Sequence, residues 1–145
     1  MDDPTTENLV LMELSRVLIR ETEDTHFLEL RESEPDADHE ARTFPIVIGL
    51  TEAAAIERRL MGQAPERPQT HELLANVVEK LNHVIDRVVI NDLHDQTFFA
   101  RLCLRHRGSG EVVELDARPS DAIALSADRE TPIYVAEHVL DHADA

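Results

Sequence analysis

From Ala122 to Ala127 the chain reads Ala-Ile-Ala-Leu-Ser-Ala, small or apolar almost all the way round a helical wheel. A helix without a polar face has nothing to give to water, so it must lie enclosed, and a sheet is the surface expected to enclose it. Val112, Val113 and Leu115, interleaved with Glu114 and Asp116, predict a strand running into this helix. Pro119 suits a first helical turn, and Ser120 or Asp121 can accept hydrogen bonds from the free N–H groups there. Arg118 and Asp121 therefore stand at the mouth of a buried helix, where the positive end of the helix dipole favours an anion. Two readings suit them equally: an Arg-carboxylate pair that holds the turn, or an anion or metal site.

The chain has 145 residues, enough for one domain with a real core. Its one cysteine, Cys103, lies in an apolar alternation and is expected to be an inert core thiol. No apolar run is long enough to span a membrane, and Met1-Asp2-Asp3-Pro4 lacks the basic and apolar regions of a signal peptide. These features predict a cytoplasmic protein. The formal net charge is -16, with Lys80 as the single lysine. Such a surface repels nucleic acid in general, because nonspecific binding relies on cations that neutralise phosphates. It also suits a fold adapted to high salt, in which ions screen the self-repulsion.

Residues 1–8 read as a disordered polar tail and residues 9–142 as the domain. Leu9 to Arg20 predicts a long strand whose period slips between Met12 and Ser15, the mark of a bulge. His26 to Arg31 predicts a second strand, Glu32 to Glu40 a solvated acidic loop, and Thr43 to Ile48 a third strand buried on both faces. Thr51 is expected to cap a helix ending at Gly62, and Thr70 a second helix to about Asn82, with Leu73, Leu74, Val77, Val78 and Leu81 as its core face. A strand over Val88 to Ile90 leads to a loop over Asn91 to Gln96. Thr97 to Arg107 and Glu111 to Ala117 then form a hairpin about Gly108-Ser109-Gly110. Ile133 to Val135 is a short strand, and Ala136 to His142 a last helix.

Each half thus runs through three strands into a helix that opens with hydroxyl, carboxylate and alanine: Thr51-Glu52-Ala53 and Ser120-Asp121-Ala122. The fold class expected is α+β: a single domain of mainly antiparallel strands with helices packed on the sheet, readable as two duplicated β-β-β-α units. Apolar strands with open edges also predict a homo-oligomer, with a dimer as the default.

Five blocks of the chain in order, Pro45 to Ala53, Arg67 to Leu73, Val89 to Phe98, Asp116 to Leu125 and Pro132 to Val135, resemble the bifunctional nuclease family. The resemblance covers about residues 9 to 142. It implies a nuclease acting on RNA and DNA with low sequence specificity; the alternative is a non-catalytic regulatory or interaction module on the same fold. Metal-dependent phosphodiester hydrolysis calls for clustered carboxylates around Mg²⁺ or Mn²⁺. Within the blocks, Glu52, Asp95, Asp116 and Asp121 are the candidate metal ligands. Glu52, His71, Asp95 and Asp121 are the catalytic candidates, and Arg67 and Arg118 the candidates to grip phosphate.

Overall fold

The computed structural model describes residues 8–20, 22, 24–127 and 130–143. The tail expected over residues 1–8 therefore falls, but for Asn8, outside the described residues. Eleven elements follow one another: β1 (Leu9–Ile19), β2 (His26–Glu32), β3 (Thr43–Ile48), α1 (Leu50–Leu60), α2 (Thr70–Lys80), β4 (His83–His94), β5 (Thr97–His106), β6 (Val112–Ala117), α3 (Pro119–Ser126), β7 (Ile133–Ala136) and α4 (Glu137–Ala143).

All seven strands form one sheet in the order β3-β2-β1-β7-β4-β5-β6. Every neighbouring pair is antiparallel except β4 with β7. The fold is α+β, as expected. Each half is a three-stranded meander that starts beside β7, steps outward and ends in a helix, so the order of strands is mirrored about β7. The sheet coils strongly: Phe44 of β3 stacks on Phe98 of β5 with ring centroids 5.6 Å apart, although four strands separate them in the sheet.

The helix that must be enclosed is enclosed. Every residue of α3 except Asp121 is buried, and the helix packs against β4, β5, α1 and α2. Ser126 disposes of its hydroxyl by donating to the Ala122 carbonyl at 2.9 Å, the usual way for a helix to carry a buried serine. Ala53 and Ala122 follow the two carboxylates of the helix starts and are wholly buried. Neither side chain is large enough to hold α1 and α3 apart.

Several local expectations give way. Two helices start earlier than their hydroxyls suggest, with Gly49 and Gln69 as the N-caps of α1 and α2; α3 begins at Pro119, as expected, after Arg118, and none of the three caps makes a side-chain bond. Thr51 and Thr70 lie inside the first turn. β3 is buried on one face only, with Pro45 and Val47 exposed, because the helices cover one side of the sheet. The stripe of α2 that reaches the core is His71, Ala75 and Val78; Leu73, Leu74, Val77 and Leu81 remain exposed. Periodicity groups residues on a face without saying which face turns inward; here the inward face carries His71, which bonds Asp121.

The acidic loop begins one residue later than its charge suggests. Glu32 belongs to β2 and is buried, held by Arg42 through Nε at 2.7 Å and through the backbone N–H at 2.9 Å. The same guanidinium reaches Glu137 of α4. β4 runs on to His94, and the loop expected after Ile90 shrinks to the two-residue turn Asp95-Gln96, both at positive φ (48° and 66°). Positive φ at both central residues marks the tight hairpin turn whose twist matches that of its strands. The bulge in β1 is present, with the register shift between Leu14 and Arg16.

Candidate functional site

Gly49 and Arg118 occupy equivalent positions, each the residue between the third strand of a half and its helix. Three residues on, Glu52 and Asp121 stand in the first turns of α1 and α3. Since α1 and α3 pack together, these turns meet, and α2 brings His71 from its own first turn. The positive ends of three helices thus converge on one place, where negative charge is favoured.

The side chains there form one chain of bonds. Arg118 donates from Nη2 to Glu52 Oε1 at 2.8 Å, from Nε to Asp121 Oδ2 at 2.8 Å and from Nη2 to Asp121 Oδ1 at 3.1 Å. Asp121 Oδ1 lies 2.9 Å from His71 Nε2. With that nitrogen as the donor, the Nδ1 of His71 keeps its lone pair, and among the described residues nothing bonds to it. Burial works to raise the pKa of Asp121, but hydrogen bonds from Arg118 and His71 outweigh it and hold the carboxyl below its ordinary range. The bond to Asp121, and after it that to Glu52, raises the pKa of Arg118 despite the cost of burial. Glu52 and His71 are buried, whereas the Arg118 side chain is 65% exposed.

Gly49 makes room for this arrangement. A Cβ at this position would come within 2.9 Å of Glu52 Oε2 and 3.2 Å of Oε1. Its φ of -77° is open to any residue, so the demand for glycine comes from the carboxylate and not from the backbone.

The charged group opens into a hollow of about 630 Å³ walled by α2, α3, β5 and β6. Glu52, His71, Asp116, Arg118 and Asp121 line it, and Leu74, Leu102, Leu115 and Leu125 supply an apolar side. On the other side of Arg118 lies a second hollow of about 410 Å³, between β3 and the β4–β5 hairpin. Thr51, Thr70 and Ser120, which sequence reasoning treats as capping residues, line one hollow or the other. Their place beside Glu52, His71 and Asp121 in the same blocks was the available signal.

Five of the seven candidate residues are therefore together. Asp116 is among them through the hollow, exposed on β6 and opposite Arg101. Asp95 stands apart at the hairpin tip, its side chain 89% exposed and 3.3 Å from His94. Arg67 lies exposed in the linker between α1 and α2 and lines neither hollow. Among the described residues no three His, Cys, Asp or Glu side chains are grouped to hold a metal ion. Glu52 and Asp121 face each other across a guanidinium, which supplies the positive charge that a cation would otherwise bring. Cys103 is buried, and that burial pushes its thiol pKa up, in keeping with an inert thiol. Among the described residues no helix is long and apolar enough to cross a membrane.

A family model described as the bifunctional nuclease domain matches residues 35–145. Two uncharacterized proteins of Mycobacterium tuberculosis, one from strain CDC 1551 / Oshkosh and one from strain H37Rv, are each 36% identical over 127 residues. In each case the match takes in 88% of this chain and 71% of the relative.

Proposed function

The chain belongs to the bifunctional nuclease domain family, and on that premise we propose that it hydrolyses phosphodiester bonds in RNA and DNA with low sequence specificity. The observation that carries the reading is the bond between His71 and Asp121 beside an exposed arginine. Asp121 fixes the tautomer of His71, and the free Nδ1 takes a proton from water as the water oxygen bonds to phosphorus. Arg118 turns its guanidinium from the carboxylates to the phosphate oxygens, where a planar fork binds two of them at once. The P–O bond to the leaving oxygen then breaks, and that oxygen takes a proton from solvent. Asp95 and Arg67 have no part in this scheme as the chain is folded.

Glu52, Asp116 and Asp121 are the carboxylates that a divalent cation would draw on. As arranged they do not form a cage, and no step here runs through a metal. A second reading, a non-catalytic regulatory or interaction module, is favoured by the way Glu52, Arg118, Asp121 and His71 satisfy one another internally and by a net charge of -16.

The deciding experiment is cleavage of labelled single-stranded RNA and duplex DNA by purified protein with Mg²⁺, Mn²⁺ or EDTA, beside Asp121→Ala prepared identically. Cleavage lost in the variant supports the nuclease. Equal cleavage by both proteins overturns this site, and silence under every condition supports the module. The EDTA arm decides whether a metal takes part.

A further inference from the structure

Arg118 lines both hollows. The residue stands at the boundary between a space of about 630 Å³ and one of about 410 Å³, each within the ~300–1,000 Å³ that small-molecule sites occupy. One wall of the first is leucine, and the second is bounded by Val47, Phe98 and Pro119, with Gln96 and Thr97 beside them. A lone anion would need the arginine and neither hollow. A mononucleotide would need the arginine and one. A phosphodiester in a polymer is an anion with a nucleoside on each side, and that is the pattern of this surface.

Resting on the nuclease reading, we infer that the two hollows are subsites for the nucleosides on either side of the phosphate gripped by Arg118, so that the unit recognised is an unpaired dinucleotide. Bases inside a duplex are stacked and paired and cannot turn into separate hollows without being pulled out. The walls offer mainly apolar contact, which accepts any base. The overall negative charge removes the general attraction for a polyanion, leaving affinity to these local contacts.

The test is a binding titration of the full chain, followed by amide NMR shifts. The probes are a single-stranded dinucleotide with a phosphorothioate linkage, a 5′-mononucleotide, inorganic phosphate and a blunt DNA duplex. Leu115→Trp obstructs the first hollow and Thr97→Trp the second; both positions are exposed, so the fold should survive. The dinucleotide should bind at least about tenfold more tightly than the mononucleotide or phosphate. It should shift amides at Leu74 and Ala117 on one side and Val47 and Gln96 on the other, and lose about tenfold with either variant. The shifts on the unsubstituted protein answer the question even if a variant misfolds. Duplex binding as tight as single-strand binding overturns the inference, as do dinucleotide shifts confined to one hollow. Binding in the expected pattern without cleavage removes the nuclease reading and leaves the subsites standing. Equal cleavage of duplex and single strand, with both tryptophan variants active, does the reverse.

Discussion

Glu52 and Asp121 hold the same third position in helices from opposite halves of the chain, and both carboxylates grip the guanidinium of Arg118. Removing one partner affects the other through that shared group. Asp121→Asn keeps the volume but takes away the charge that orients His71 and anchors Arg118. Cleavage should fall by about 10²-fold or more, the usual contribution of a positioned base. Unfolding in urea should show a loss of only about 1 to 3 kcal/mol. Cleavage at the parent rate would remove His71 and Asp121 from the chemistry.

The depressed pKa of Asp121 sets a sign for acid behaviour. A carboxyl that is more acidic folded than unfolded stabilises the protein above its unfolded pKa, and this contribution is lost as pH falls through the folded value. The stability gap between the parent and Asp121→Asn should therefore be full above the ordinary value near 3.8 and close as pH drops below it. Urea midpoints measured from pH 6 down to the acid limit of the fold will show whether the gap closes. A gap that widened in acid would contradict the arrangement.

Gly49→Ala tests the site through space rather than charge. The new methyl would press on the tip of the Glu52 side chain, which can move aside, so stability should change by less than about 1 kcal/mol. Glu52 would lose its hold on Arg118, and the variant should resemble Glu52→Gln in cleavage. Activity matched to the parent, alongside an impaired Glu52→Gln, would show that the carboxylate tolerates the crowding.

Glu32 and Arg42 join the end of β2 to the start of β3 and, through Glu137, to α4. With Glu32 only 5% exposed, Arg42→Ala strands a buried carboxylate and should cost about 3 kcal/mol. Bonds from Arg42 outweigh burial and lower the Glu32 pKa, so this contribution too should fade in acid. Cleavage per folded molecule should not change, because the pair is remote from the chain of bonds at Arg118.

The open leucines of α2 bear on self-association. We propose that the chain forms a homodimer through the outer face of α2, where Leu73, Val77 and Leu81 lie exposed. Light scattering in molar KCl, which screens the charge of -16, should give a dimer mass that Leu73→Glu with Leu81→Glu reduces to a monomer. A monomer mass for the parent protein would end this proposal.

What the sequence could disclose follows the range of the forces involved. Alternation and turn chemistry act over a few residues, so the order of strands and helices, the bulge near Ser15 and the buried α3 are all legible. The coiling of the sheet is not, because the stacking of Phe44 on Phe98 depends on every strand between them. Leu73 to Leu81 form a good apolar stripe, but periodicity carries no information about whether anything covers it. The candidates at 52, 71, 116, 118 and 121 share blocks rich in helix-start residues, yet nothing in their spacing tells that His71 would find Asp121. Asp95 sits in an equally suggestive block, and only the tight turn around it shows a local task.

The mirrored halves have a further consequence, for the order in which the protein comes into being. One carboxylate is made with the first half of the chain, and its arginine and the second carboxylate nearly seventy residues later. No fragment released at the 61–69 linker carries the assembled group. A product truncated at the linker therefore lacks the assembled group, which forms only when synthesis has passed Asp121 and the two halves have met.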